Sequence, residues 1–442
     1  MVERLISTFS ELLLEKIKHS KVHVMSHFDT DGITSAAIIS KTLGRLNKQF
    51  SLRITKGLDD EELALIPKDI IVIMTDLGSG SLEKLSKMKN EFLIIDHHEI
   101  NGDIPKNVNM FNPHLHPELD SLCSAELIYL IAKNISDENK DLAHLAAIGM
   151  VGDVMEKEIN KTRNMIIKDA NVIIKKGLLI YPSTRQLDKS LEYSSFPFIP
   201  GVTGDQKGVY ELLKEIGIEK IGNRYKSLID LNEKEMKNLV TAIMLRMNAK
   251  EKPKDYVGNL YLIKFFNKIE DAREISAMIN SCSRLGEPRI AISLCLGNPE
   301  ARKRAERIYV KYRQHIISAL KYVDKNKIVT DNYVIINGKD KIKDTIIGTI
   351  ASIISFSRVY KEGTIIIGMA YNENRIKIST RIAGRNTKSV HNLKELMNYV
   401  TDLLGGESGG HRQAAGCTIK REDEQKFIDL IQRKLEFELI KV

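Results

Sequence analysis

Residues 21–32 read KVHVMSHFDTDG, a short β-rich run that ends in a histidine and two aspartates. Two further runs repeat this pattern. Ile70–Met74 (IIVIM) leads into Thr75-Asp76, and Phe92–Ile95 (FLII) leads into Asp96-His97-His98. Helical spacing fills the intervals, over Gly32–Leu46 and again over Ser81–Lys89. Short continuous apolar runs separated by helices predict a parallel sheet with both faces covered. The expected fold class is therefore α/β, with a doubly wound parallel sheet in an N-terminal domain spanning residues 1–190. Ligands of open parallel sheets bind beyond the carboxyl ends of the strands, so the three polar clusters should converge.

A fourth candidate, Asp153, follows the apolar stretch LAHLAAIGMVG. The convergent set suits a pair of divalent metal ions. Carboxylate oxygens favour hard cations, and added imidazole shifts the preference to Mn²⁺, with Mg²⁺ or Co²⁺ as alternatives. Two such ions about 3.5–4 Å apart activate water and stabilise both the attacking and leaving oxygens at phosphorus. Asp76, placed centrally, could bridge them. A lone Asp-x-Asp after a strand is as often a helix cap. An EF-hand reading of Asp29-Thr-Asp31-Gly32 fails, because the glycine comes too early. The coincidence of such groups at all three strand ends is what favours a metal site.

The bulk properties narrow the class. A chain of 442 residues exceeds one ordinary core, and two or three domains are expected. No stretch approaches the roughly 20 apolar residues of a membrane span. The N-terminus, MVERLISTFSELLLEKIKHS, reads as an amphipathic helix rather than a signal peptide, so a cytoplasmic location is expected, with no membrane partner. The four cysteines are scattered without a Cys-x-x-Cys pair, which argues for buried free thiols. A net charge of +9 and a pI near 9.0 suit a polyanionic partner such as nucleic acid.

Beyond about residue 190 the pattern changes. Ser194–Gly204 is rich in turn formers and reads as a linker or ordered loop. A middle α/β segment over 191–330 follows, with YLIKFF, a helix over Ala272–Ser281, IAISLCLG and a long helix near Glu300–Val323. That helix carries Arg302, Lys303, Arg304 and Arg307 opposite an apolar stripe, a surface that could track the backbone of a single strand. The last α/β domain, 331–442, has strands at YVIIN, TIIIGMAY and RIKISTR, then a glycine-rich loop, GGESGGHRQAAG. Its glycines would let backbone N–H groups close on a phosphate, with Arg381, His411 and Arg412 adding charge. It lacks the Gly-Lys-Ser/Thr of a Walker A loop.

HFDTDG, TD, DHH and GDV, in this order, resemble motifs I to IV of the DHH phosphoesterase superfamily. Asn112-Pro113-His114 and Ser121–Glu126 (SLCSAE) resemble further segments of that family. Gly405–Gly416, preceded by Ile378–Arg381, resembles its substrate-binding DHHA1 domain, although Glu407-Ser408 interrupts the usual glycine run. The resemblance implies that His27, Asp29 and Asp76 hold one metal ion, and Asp31, Asp76, His97 and Asp153 the other. It implies that His98 faces the scissile phosphate and that Asp96 orients a histidine. Asp76, His98 and Arg412 would then be catalytic, and Arg381, Gly409, Gly410, His411 and Arg412 would bind substrate.

The middle stretches PFIPGVTGDQKGVYELL and DAREISAMINSCSRLGEPRIAIS resemble archaeal RecJ-type exonucleases, relatives of the replication factor Cdc45 that can associate with GINS. The resemblance implies a two-metal exonuclease acting at the end of single-stranded DNA or RNA. The alternatives are a phosphodiesterase for short oligonucleotides or cyclic dinucleotides, and a non-catalytic Cdc45-like replication scaffold.

Overall fold

Alternate residues of the first strands point into two different cores, as a sheet covered on both faces requires. A computed structural model describes residues 2–439 except 120, 195, 196, 198, 248–255, 358 and 385–390. Val22–His27 (β1), Phe50–Thr55 (β2), Ile71–Thr75 (β3), Glu91–Ile95 (β4) and Val108–Phe111 (β5) form one sheet in the order β2-β1-β3-β4-β5. All its pairings are parallel. Val24, Ile73, Leu93 and Ile95 face a large core shared with the Thr30–Arg45, Ser124–Ile135 and Ala143–Gly152 helices. Met25, Val72, Met74, Phe92 and Ile94 face a second core, closed by Leu63, Leu82 and Leu85 from two short helices. The doubly wound parallel sheet expected from the three apolar runs is present. Strand order reverses between β1 and β3, which opens a crevice at their carboxyl ends.

β2 and β5 are the two edges of this sheet. β2, FSLRIT, is only partly buried, so it lacks the unbroken apolar run that marks its neighbours.

A smaller antiparallel sheet follows, in which Val257–Phe265 (β7) lies between Ile173–Leu178 (β6) and Lys268–Asp271 (β8). The two faces of β7 serve different cores. Leu260 packs with Leu178, Leu212 and Ile243, while Tyr261, Ile263 and Phe265 reach back to the large first core. The Ala272–Arg284 helix joins that first core and is tied to it by Thr30, whose Oγ1 donates to the Ser276 carbonyl at 3.0 Å. The stretch IAISLCLG, expected as part of an α/β alternation, is not a strand. It lies mostly in a helix, Pro288–Cys295. Pro288 in its first turn presets the backbone angle, and Ile290, Ala291, Leu294 and Cys295 are buried at helical spacing. Of the linker segment Ser194–Gly204, residues Ser195, Phe196 and Phe198 lie outside the described residues.

The chain divides into two compact units, Met1–Tyr309 and Val310–Val442, at a point inside the long Pro299–Lys325 helix. In the second unit, Lys327–Val329 (β9), Tyr333–Asn337 (β10), Ile365–Asn372 (β11), Arg375–Ile382 (β12), Glu407–His411 (β13) and Ala414–Lys420 (β14) form one sheet. Its order is β13-β14-β12-β11-β10-β9, antiparallel except for the β10–β11 pair. The glycine-rich tail, read from sequence as a loop, is therefore a β-hairpin. The reason is steric. A Cβ on Gly406 would lie 2.0 Å from the Thr418 carbonyl oxygen, and one on Gly410 would lie 2.4 Å from that of Ala414. Both glycines have positive φ, +113° and +121°, so they allow close backbone approach rather than an open loop. Among the described residues no helix is long and apolar enough to cross a membrane.

Candidate metal centre

The crevice between β1 and β3 is where the polar clusters meet. β1 ends at His27, and Asp29 then caps the next helix, accepting the Gly32 N–H at 3.0 Å. Gly32 allows this tight turn, because a Cβ there would lie 2.3 Å from the His27 carbonyl oxygen. Asp31, fully buried in the first turn, accepts the Ser124 N–H at 2.8 Å and the Ala125 N–H at 2.9 Å. These are first-turn amides of the Ser124–Ile135 helix, where a carboxylate is favoured. Asp76 follows β3 directly with φ +60°, a left-handed conformation that Asp tolerates better than most residues. Asp153 is the C-cap of the Ala143–Gly152 helix.

Asp76 joins two sets of donors. Its Oδ2 lies 3.4 Å from His27 Nδ1, which is itself 3.0 Å from Asp29 Oδ2. Its Oδ1 lies 3.4 Å from His97 Nε2, which is 3.2 Å from Asp153 Oδ2 and 3.8 Å from Asp31 Oδ2. His27, Asp29 and Asp76 form one group able to hold a cation, and Asp31, His97 and Asp153 form another. His98 joins Asp76 and His97 in a third grouping. Its Nδ1 is already 2.7 Å from Asp96 Oδ1, and its side chain is 48% exposed. Asp96 belongs to none of these groups. It accepts the backbone N–H groups of Ser79, His97 and His98, and so holds the Asp96–His98 turn.

The donor set fits divalent cations. His27 Nδ1, Asp76 Oδ2 and His97 Nε2 are buried and make no hydrogen bond within the protein. Unpaired buried polar atoms are costly, and three of them converge on this crevice. The acids also crowd one another. Burial, reinforced by neighbouring carboxylates, pushes Asp31 up to about 7 and Asp76 up to about 6. Asp153 is raised as well, chiefly by burial. Against the effect of burial, the adjacent carboxylates of Asp153, Asp76 and Asp31 hold the His97 proton up to about 12. Burial likewise disfavours charge on Asp29 and Asp96, yet His27 and His98 respectively keep them below the ordinary carboxylate range. Cations bound at these groups would displace protons from them.

Every residue proposed from sequence as a ligand thus lies in one crevice. Sequence reading missed Ser124, whose Oγ donates to Asp76 Oδ1 at 3.1 Å in addition to its N–H bond to Asp31. It also missed Gly149, where a Cβ would lie 2.8 Å from Asp31 Oδ1. The signal for the first was Glu126, three residues after Cys123, which marks a helix N-terminus.

The other candidates lie elsewhere. Arg302 turns inward, 2.7 Å from Glu270 and 3.1 Å from Glu306, with its guanidinium 5.1 Å from the Phe266 ring centroid. With a side chain only 16% exposed it is removed from the basic surface, whereas Lys303, Arg304 and Arg307 are exposed. On the second unit, Arg381 donates to Ser352 Oγ at 3.0 Å, and Gly409, Gly410, His411 and Arg412 are exposed on the hairpin. The Glu407-Ser408 interruption is accommodated by β13, with Ser408 Oγ donating to Asn398 at 2.8 Å.

Comparison with known proteins agrees with this fold. The family model for the DHH family, N-terminal domain, matches residues 21–150, and that for the DHHA1 domain matches 330–436. A DHH-CID domain model matches residues 180–261 between them. The chain belongs to the DHH superfamily.

Within that class its fold resembles those of RecJ and of Cdc45. An uncharacterized protein of Methanocaldococcus jannaschii is 28% identical, with 97% of each chain covered. A Bacillus subtilis prophage protein, named as a single-strand DNA-specific exonuclease, is 28% identical over 40% of this chain and 32% of its own length. RecJ of Thermus thermophilus, solved with Mn²⁺, aligns at TM-score 0.61 and 17% identity over 97% of this chain and 54% of its own. The chain thus spans about half the length of that RecJ. Cdc45 of Entamoeba histolytica aligns at TM-score 0.65 and 14% identity, with 97% and 98% covered.

Proposed function

We propose that this chain is a metal-dependent exonuclease that hydrolyses phosphodiester bonds at the end of single-stranded DNA or RNA. The observation that carries the hydrolytic reading is the central Asp76, whose two oxygens face two different His-carboxylate groups. A pair of divalent cations in such groups, Mn²⁺ by donor type, supplies an activated water and charge neutralisation at phosphorus. The chain's own residues do the rest. Asp76 spaces the two groups. Asp96 holds the turn that presents His98, which leaves Nε2 of that ring to donate to a phosphate oxygen. The exposed hairpin with His411 and Arg412, together with Arg381, grips the nucleotide end through charge and backbone amides. A substrate of nucleic-acid ends, rather than a small phosphoester, is supported by the net charge of +9 and by the prophage relative's name.

The test is digestion of long single-stranded DNA and RNA, labelled separately at each end, with Mg²⁺ and Mn²⁺ compared. We expect stepwise loss from one end, stronger with Mn²⁺, and at least a hundredfold loss in Asp76→Ala. Near-normal Mn²⁺-dependent hydrolysis by Asp76→Ala would overturn the scheme. Preference for strands of two to five nucleotides would favour the oligonucleotide phosphodiesterase reading instead. The likeness to Cdc45 supports a second reading, a non-catalytic replication scaffold with GINS-type partners. The complete and mutually facing ligand set argues against it, since a scaffold has no need to bury so many carboxylates together.

A further inference from the structure

We propose that Arg163 is a positioning residue that sets the distance between Asp31 and Asp153, and so controls one of the two cation sites selectively. The proposal rests on the metal-binding reading above.

Arg163 and Glu126 are almost fully buried, with side chains 1% and 0% exposed. The guanidinium meets the Glu126 carboxylate at two points, Nε to Oε1 at 2.8 Å and Nη2 to Oε2 at 2.8 Å. Its remaining hydrogens go to main-chain carbonyls. Nη2 donates to Ser121 at 2.7 Å, and Nη1 donates to Met155 at 3.1 Å and to Glu158. Such a fork satisfies both partners, yet a buried ion pair rarely adds stability over apolar packing. What it does add here is geometry, because its two sides hold two different ligand-bearing segments.

On one side, Glu126 Oε2 also accepts the Cys123 N–H at 3.0 Å, which fixes the start of the Ser124–Ile135 helix. The next two amides are those that hold both oxygens of Asp31, and the Ser124 hydroxyl reaches Asp76. On the other side, Met155 is two residues beyond Asp153. Between them Val154 sits at φ +60°, a conformation a β-branched residue adopts only under constraint. The Arg163 bond to the Met155 carbonyl is one such constraint. A single guanidinium therefore connects the frame of Asp31 to the frame of Asp153. With His97 these are the members of one cation group; of the other group, Asp76 is met by the Ser124 hydroxyl, while no Arg163 bond reaches His27 or Asp29.

Lysine keeps the charge but not the planar fork, so Arg163→Lys should loosen this spacing. The experiment is Mn²⁺ titration of metal-free protein, followed by calorimetry and by electron paramagnetic resonance. Wild type, Arg163→Lys, Glu126→Gln and a control, Ile131→Ala, are compared, each verified as folded. Ile131 is fully buried on the same helix and, having an apolar side chain, takes no part in these hydrogen bonds, so it reports general loosening. We expect wild type and the control to bind two ions tightly. In Arg163→Lys and Glu126→Gln, one ion should bind as in wild type and the second about tenfold to a hundredfold more weakly. Glu126→Gln carries the test if Arg163→Lys does not fold. Two ions bound by the folded variants as tightly as by wild type would overturn the proposal alone. Equal weakening of the second ion in Ile131→Ala would overturn it too. Wild-type protein that binds no Mn²⁺ would sink the metal-centre reading and this proposal with it.

Discussion

Val154 and Gly149 show how closely backbone and ligands are matched around Asp31 and Asp153. An L-residue in the left-handed region costs roughly 1–2 kcal/mol, and Asn bears that conformation better than Val. Val154 is 57% exposed, so little packing is lost on replacing it. Val154→Asn should raise stability by about 1 kcal/mol, measured by chemical denaturation of the metal-free protein. Gly149 presents the opposite case. An added Cβ would lie 2.5 Å from Ala125 Cβ and 2.8 Å from both Asp31 Oδ1 and Thr34 Oγ1. Gly149→Ala should cost about 1–3 kcal/mol through overpacking. It should also weaken Mn²⁺ binding, because Asp31 has no room to retreat from its two amides. A titration matching wild type would show that the site repacks freely.

At the scale of elements, the legible ones were those with a single clear signal. β1, β3 and β4 are continuous apolar runs because both sheet faces are covered, and their polar tips announced the site. IAISLCLG misled because eight mostly apolar residues fit a buried strand or a buried helix equally well. Only the proline in its first turn distinguished the two. The glycine hairpin misled for a different reason. Glycine is depleted in strands, and close antiparallel approach is a tertiary demand that local sequence does not express. The basic helix was half legible. Its charges could be read, but the acids opposite them could not, because Glu270 is distant in sequence and pairs with Arg302 only in the fold. Replacing Lys303, Arg304 and Arg307 with Gln should therefore weaken single-strand binding. It should also flatten the dependence on log[salt] by about 0.7 per lost phosphate contact. Arg302→Gln should leave that slope unchanged and lower stability by about 3 kcal/mol, since Glu270 is left buried without its partner.

For the molecule as a whole, the buried acid–histidine cluster couples folding to pH. Asp31 and Asp76 are raised from an ordinary value near 3.8 to about 7 and about 6, chiefly by burial. A raised carboxyl stabilises the fold while protonated. That contribution is complete below pH 3.8 and fades as pH climbs to about 6 and 7. His97, raised from 6.5 to about 12 by its acidic neighbours against the effect of burial, acts in the same direction over a higher window. The metal-free protein should therefore melt at progressively lower temperature from pH 5 to pH 8. Saturating Mn²⁺ should reverse the trend, with a larger rise in melting temperature at pH 8 than at pH 5, readable by calorimetry. An equal Mn²⁺ effect at both pH values would mean that these acids are not ligands. The sequence showed which residues meet. It did not show their protonation, which depends on burial and on neighbours from other strands.

The six candidate ligands come from four separate stretches of chain, spread between His27 and Asp153. Bound cations would therefore act as cross-links, closing loops of tens of residues much as a disulfide does, but reversibly and only when metal is supplied. The strand tips of β1, β3 and β4 would fray together on chelation and lock together on loading. A cell short of metal would then hold this protein in a form that is more open to proteases as well as idle.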